Sequence, residues 1–199
     1  MRVLAFGSSL ARDLGDFDQQ KSRIIAGVQV DFTYRAFPGT SYEHFLSQPW
    51  LIDEVLECQP DYVLTIFGGN SIKRSVEPGV LYDNARAFFN LLKRKLQTVN
   101  PAGKIIAHQI PLRFVTNGFY DCPKPKEFAK IRNNLNRKVM NFGSTDYILL
   151  IAGRGPDKLD KRSLFKDGIH FKPTGLRLQL ARVIAKLEHI LVQEAQAQQ

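Results

Sequence analysis

The sequence has few of the features that mark a secreted, membrane-spanning or metal-binding protein. Its only cysteines among 199 residues are Cys58 and Cys122, and no apolar run approaches the ~20 residues of a membrane-spanning helix. Arg2 is followed by only four apolar residues before Gly7, which is too short for the hydrophobic region of a signal peptide. No spacing of His, Cys, Asp and Glu resembles a metal site. We therefore expect an intracellular protein with free thiols and no bound metal.

Acidic residues are also scarce relative to basic ones. The chain has 19 Asp and Glu against 28 Lys and Arg, which gives a net charge of +9. Such an excess raises the local concentration of polyanions, so nucleic acid or an anionic membrane surface is a candidate partner. The alternative is a solvated surface that has no partner. Many of the cations lie in the segments 93–95, 124–138 and 158–166.

The length and the order of the patterns predict a single α/β domain over residues 1–199. Short strand-like runs alternate with helical stretches, and an alternation of this kind is typical of a parallel sheet covered by helices on both faces. The predicted strands are 2–6, 28–34, 62–67, 104–110 and 147–151. The sequence therefore favours a three-layer α/β/α sandwich with a five-stranded parallel sheet, as in flavodoxin-like folds.

Apolar residues at helical spacing predict the helices between and after these strands. The predicted helical segments are 50–56, 81–96, 128–139 and a long final helix after Pro173-Thr174-Gly175. The last of these is the clearest amphipathic segment. We expect residues 194–199 to fray, as chain ends commonly do.

Polar and glycine residues follow the predicted strands. Gly7-Ser8-Ser9-Leu10 follows the first strand, Gly39 lies after the second, and Gly68-Gly69-Asn70-Ser71 follows the third. Asp167-Gly168-Ile169-His170 comes just before the last helix. Because ligands of open α/β sheets bind beyond the carboxyl ends of the strands, we expect these segments to meet at one edge.

Together the four segments supply each part of an acyl-transfer site. Ser9 would be the nucleophile, His170 its base, and Asp167 the group that orients the imidazole. The oxyanion would be held by the backbone N–H groups of Ser9 and Gly39 and by the side-chain amide of Asn70.

Each residue also has a structural interpretation. Ser9 could cap the first helix, and the glycine-serine turn could hold a phosphate. Asn70 could satisfy a buried backbone group, and His170 could be structural. The phosphate interpretation leaves Asn70, Asp167 and His170 unexplained, and the turn lacks the lysine of phosphate loops.

The four ordered segments resemble the signature of the SGNH hydrolases, the GDSL-type esterases and lipases. The stretches QPDYVLTIFGGNS (59–71) and KDGIHFKPTG (166–175) also look similar to the SGNH domains of retroelement-derived proteins of animals. The sequence departs from the family pattern at two positions, since Ser8 and Ser71 stand where aspartate is usual.

The resemblance implies a serine esterase without a cofactor. Its reaction would be two-step ester hydrolysis with Ser9, Asp167 and His170 as the triad, and its substrate a small ester with a short, acetyl-like acyl group. The rival interpretation is a hydrolase-like domain, weakly active or inactive, that binds nucleic acid or an anionic surface. The net charge and the missing aspartate at position 8 favour that rival.

Overall fold

The structure is a computed structural model that describes residues 1–114, 121–150 and 162–198. The strands in these ranges are β1 (Arg2–Gly7), β2 (Ser22–Ile25), β3 (Val28–Ala36), β4 (Tyr62–Ile66), β5 (Lys104–His108) and β6 (Tyr147–Leu149). The helices are α1 (Ser9–Phe17), α2 (Tyr42–Ser47), α3 (Trp50–Leu56), α4 (Pro78–Val99), α5 (Pro125–Val139) and α6 (Pro173–Ala197). Within the described ranges, no helix is long and apolar enough to cross a membrane.

The strands form one sheet in the order β2-β3-β1-β4-β5-β6. Five of them run parallel, as predicted, and β2 pairs antiparallel with β3 at one edge. The predicted count of five strands was therefore one too low. The missed strand, β2, is only four residues long and mostly exposed, so no apolar run marked it in the sequence. Ala26 and Gly27, both with positive φ, form the tight turn that joins it to β3.

Each face of the sheet carries its own apolar core, which confirms the three-layer arrangement. On one face, α2, α3, α4 and α5 cover an aromatic cluster in which Phe6 lies 5.0 Å from Phe45 and Phe67 lies 4.8 Å from Phe88, measured between ring centroids. On the other face, α1 and α6 pack against β1, β3 and β4. The central strands β1 and β4 are buried on both sides, which explains their continuous apolar sequence.

The final helix continues to Ala197 and does not fray at Glu194, where we expected the tail to begin. The Glu194 carboxylate accepts hydrogen bonds from the hydroxyls of Tyr62 and Tyr147 and from the Lys104 ammonium, each at 2.6 Å. These contacts join the last turns of α6 to three strands. The sequence did not predict these contacts, because the tail is polar and the partners of Glu194 are distant in the chain.

The segment after β5 is fixed by two buried side chains of α5. Asn136 accepts the N–H of Ile110 at 2.9 Å and donates to its carbonyl at 3.2 Å, and the Arg132 Nε donates to the same carbonyl at 2.6 Å. Both side chains are buried. Since Ile110 lies at the carboxyl edge of the sheet, α5 sets the path of the chain past the site described below.

The substitution Asn136→Ala is expected to lower the free energy of unfolding by about 1–3 kcal/mol, because it leaves buried backbone groups of Ile110 without their side-chain partner. Urea unfolding would measure this change. The control is Asn90→Ala on the exposed surface of α4, which should change stability by less than about 0.5 kcal/mol. Equal effects of the two substitutions would contradict the assigned role of Asn136.

Candidate active site

The first segment of the site begins at Gly7, a position where any side chain would collide with the neighbouring strand. A Cβ added to Gly7 would lie 2.2 Å from the carbonyl oxygen of Ile66 on the neighbouring strand β4. The close approach lets the Ser8 N–H donate to that carbonyl at 3.2 Å. The chain then turns into α1, with Ser8 as the N-cap residue and Ser9 as the first helical residue.

The fourth segment is a short loop held at its base by two phenylalanines. Phe165 and Phe171 are buried, form an isolated β-bridge and stack with their ring centroids 4.4 Å apart. At the tip, Asp167 Oδ1 accepts the backbone N–H groups of Ile169 (2.8 Å) and His170 (2.7 Å). This local turn fixes the carboxylate beside the imidazole, three residues later in the chain.

Ser9, His170 and Asp167 form a continuous hydrogen-bonded chain. Ser9 Oγ lies 3.0 Å from His170 Nε2, and His170 Nδ1 lies 2.7 Å from Asp167 Oδ2. A neutral imidazole with its proton on Nδ1 donates to the carboxylate and leaves Nε2 to accept the serine O–H. The structure thus brings together three side chains from opposite ends of the sequence, in the geometry that serine activation requires.

The electrostatics of Asp167 suit an orienting carboxylate. Partial burial on its own would raise the pKa of Asp167. The hydrogen bonds from the His170 amide, the His170 imidazole and the Ile169 amide outweigh burial and lower that pKa to about 2. The carboxylate is therefore ionised at neutral pH and can stabilise an imidazolium beside it.

Three N–H groups are predicted to hold the oxyanion: the backbone amides of Ser9 and Gly39 and the side-chain amide of Asn70. The backbone N–H groups of Ser9 and Gly39 form no hydrogen bond within the described ranges. Gly39 adopts a φ of 80°, a conformation that other residues rarely take. A Cβ at this position would meet nothing within 4 Å, so backbone conformation, and no protein neighbour, is the structural reason for glycine here.

Asn70 lies in a short 3-10 helix after β4, and both ends of its side-chain amide are bonded. Its Nδ2 donates to the carbonyl of Thr40 at 3.2 Å, which links the segment after β4 to the Gly39 segment. Its Oδ1 accepts from Arg113 Nη2 at 2.5 Å. Since Nδ2 carries two hydrogens and one donates to Thr40, the second N–H is available to donate to another acceptor.

Arg113 is the site residue that the sequence analysis missed. It follows β5, at the sheet edge where functional residues were expected, but no pattern in the sequence pairs it with Asn70. Its guanidinium lies 5.3 Å from the ring centroid of Phe128. Arg113 lines both the cleft at Ser9 and a second depression, which Gly39 and Asn70 also line. The side chain is therefore placed to fix the orientation of the amide.

A cleft lies beside Ser9. Its wall is largely apolar and comes from the ends of β1 and β4, the segment after β5 and the fourth segment. The lining residues include Leu10, Ile66, Phe67, Ile110, Pro111, Leu112 and Ile169. Within the described ranges, no group of three or more His, Cys, Asp or Glu side chains could hold a metal ion.

The structure also settles the local roles of the two serines that replace the usual aspartates. Ser8, and not Ser9, is the cap residue of α1, so the capping interpretation of Ser9 was wrong. Ser71 is fully buried, and its Oγ accepts the N–H of Tyr42 at the start of α2.

Comparison with solved structures identifies the fold. The lipase/acylhydrolase from Enterococcus faecalis is 18% identical with a TM-score of 0.61, over 94% of this chain and 95% of that one. A GDSL-like lipase from Bacteroides thetaiotaomicron is 15% identical with a TM-score of 0.64, over 94% and 88% of the two chains. The acetylxylan esterase Axe2 from Geobacillus stearothermophilus is 13% identical with a TM-score of 0.59, over 92% of each.

These similarities show that the chain has the SGNH hydrolase fold, the fold of the GDSL-like lipases and acylhydrolases. The predicted α/β class is confirmed. No protein-family model and no curated protein sequence matches the chain. The finer resemblance to retroelement-derived proteins stays a prediction.

The lowered pKa of Asp167 predicts that this carboxyl group remains largely ionised at about pH 3. Because its pKa is lower in the folded chain, the ionised form stabilises the fold above the unfolded pKa, and this stabilisation is lost as the pH falls through about 2. Carbon-13 NMR of the aspartate carboxyl groups, assigned with Asp167→Asn, would follow the titration. A midpoint at or above the ordinary value of 3.8 would contradict the assignment.

Proposed function

We propose that the protein is a serine esterase that hydrolyses carboxylic esters through an acyl-enzyme. The observation that carries this proposal is the hydrogen-bonded chain from Ser9 through His170 to Asp167. The fold supports it, because the similar structures include proteins described as a lipase/acylhydrolase and an acetylxylan esterase.

In the first step, Ser9 Oγ attacks the ester carbonyl carbon while its proton passes to His170 Nε2. Asp167 holds the other ring nitrogen and stabilises the imidazolium that forms. The tetrahedral intermediate then collapses, the bond to the alcohol oxygen breaks, and His170 returns the proton to that oxygen. The products of this step are the free alcohol and Ser9 carrying the acyl group as an ester.

In the second step, water takes the place of the alcohol. His170 removes a proton from the water as its oxygen attacks the acyl carbon, and the bond to Ser9 Oγ breaks as His170 returns the proton to it. The carboxylic acid leaves and Ser9 is restored. One ester and one water are consumed for each alcohol and acid released, and no cofactor enters the reaction.

The negative oxygen of each tetrahedral intermediate would be held by the N–H groups of Ser9 and Gly39 and by the Asn70 amide. The two backbone donors lack partners in the described ranges, and the amide is held by Arg113 and Thr40. Donors that are fixed before the reaction need little reorganisation when charge develops. A short acyl group such as acetyl is what the resemblance to the SGNH hydrolases implies, and one of the similar structures is described as an acetylxylan esterase.

The nucleophile is tested by comparing two adjacent serines. We expect Ser9→Ala to lower the turnover of p-nitrophenyl acetate by a factor of about 1,000 or more, because Ser9 carries the one hydroxyl in the described ranges that bonds to His170. The matched control is Ser8→Ala, which also removes a serine hydroxyl. The Ser8 side chain is buried and forms no capping hydrogen bond. The turnover of this control should stay within about tenfold of the parent protein. Equal turnover of Ser9→Ala and the parent would refute the nucleophile assignment.

Arg113 is tested as a positioning residue through its dependence on Asn70. We expect Asn70→Ala to lower kcat by a factor of ~100 to 1,000, the usual cost of one oxyanion donor. Arg113→Met should lower kcat by a factor of about 10 to 100 and leave KM nearly unchanged, because the amide is misaligned but present.

The double variant decides between positioning and an independent role. If Arg113 acts through Asn70, the Arg113→Met substitution should have little further effect on kcat in the Asn70→Ala background. Losses that multiply in the double variant would show that the two side chains act separately. Circular dichroism and thermal unfolding would verify that all three variants are folded.

A further inference from the structure

The outward face of α5 carries cations and amides, and its three exposed cations form no salt bridge within the described ranges. At 100° per residue, Lys126, Lys130 and Arg137 fall within about 40° of one another around the helix axis, opposite the buried side that holds Phe128 and Leu135. The three cations are exposed, and the only other side chains in this sector are amides. We call Lys126, Lys130 and Arg137 the α5 stripe.

The cations of the α5 stripe differ from three of the four cations of the neighbouring helix α4. On α4, Arg86, Lys93 and Lys95 each form a salt bridge with an aspartate, at distances of 2.8, 2.7 and 2.5 Å. Within the described ranges, no member of the α5 stripe forms a salt bridge. The only acidic residue of α5 is Glu127, which lies about 100° from Lys126 and about 60° from Lys130 around the axis. Three cations against this one carboxylate leave a net positive charge on this side of α5.

An open depression borders the C-terminal half of the stripe. It has a volume of about 410 Å³ and is lined by Tyr82, Asn134, Arg137, Lys138 and Asn141. The Lys138 ammonium lies 5.8 Å from the centroid of the Tyr82 ring. The lining thus combines cations, side-chain amides and one aromatic ring, which are the groups that contact the phosphates, base edges and base faces of a single strand.

The dimensions of the stripe fit a strand of nucleic acid. Lys126 and Arg137 are eleven residues apart, so they span about 17 Å of helix axis at ~1.5 Å per residue. Successive phosphates of one strand are about 3.4 Å apart along a stacked helix. The stripe can therefore meet several phosphates of the same strand, whereas a small anion would use only one of its cations.

We propose that the outward face of α5 binds single-stranded nucleic acid, with the α5 stripe on the phosphates and the Tyr82 depression beside the bases. This activity is separate from ester hydrolysis, because none of the stripe residues lines the cleft at Ser9. The net charge suggested nucleic-acid binding without indicating which surface is involved, and the proposal assigns that binding to α5.

The experiment measures the binding of labelled 20-nucleotide single strands of RNA and DNA by fluorescence anisotropy between 50 and 300 mM salt. The stripe variant carries Lys126→Ser, Lys130→Ser and Arg137→Ser. The matched control carries Lys21→Ser, Arg35→Ser and Arg177→Ser, three exposed cations on other parts of the surface. Both variants lose the same net charge.

We expect the parent protein to bind with an affinity that falls steeply with salt. Loss of three phosphate contacts should reduce the slope of log affinity against log salt by about 2, since each contact to a single strand contributes ~0.7. The control should keep the parent slope. Turnover of p-nitrophenyl acetate should be unchanged in the stripe variant, which also verifies its folding independently of binding.

Several outcomes would overturn the proposal. These are the absence of binding at 50 mM salt, equal losses in the stripe and control variants, and tighter binding to duplex than to single strands. Binding to vesicles of phosphatidylcholine and phosphatidylserine without binding to oligonucleotides would also overturn it, because the cations would then bind an anionic membrane surface and not nucleic acid. None of these outcomes bears on the esterase proposal, whose tests use the ester alone.

Discussion

The hydrogen bond between Ser9 Oγ and His170 Nε2 is the contact on which this account of the molecule depends. It spans 3.0 Å in space and 161 positions in the sequence. Three separate parts of the fold must be correct for it to form. The Gly7 turn must start α1 against β4, the stacked Phe165 and Phe171 must anchor the loop before α6, and the Asp167 carboxylate must close that loop on its own amides.

The oxyanion side of the site depends on a different kind of support. Asn70 is held between Arg113 and Thr40, and the segment that carries Arg113 is in turn fixed at Ile110 by two buried side chains of α5. A helix on one face of the sheet thus sets the orientation of an amide at its edge. The same helix turns its cationic side to solvent, so one element supports the candidate site and carries the proposed nucleic-acid surface.

The sequence predicted the parts of the structure that local pattern determines. Continuous apolar runs identified β1 and β4, and chain order placed Ser9, Gly39 and Asn70 after successive parallel strands. The loop before the last helix was singled out from Asp167 and His170 in combination with the three other segments, because the Asp167–His170 spacing is weak evidence alone. The catalytic roles of these residues and the ester substrate are proposals.

Other features were not predictable, because their partners lie far away in the chain. Nothing in the surroundings of Arg113 indicates a bond to Asn70, and the bonds that hold Glu194 are made by residues of three distant strands. The strand β2 was missed since its four residues lack an apolar face. The central claim is tested most directly by labelling with a fluorophosphonate probe, followed by peptide mapping with mass spectrometry. We expect one probe molecule to be bound covalently per chain, at Ser9. A chain that reacts at another residue, or that stays unlabelled while correctly folded, would contradict this claim.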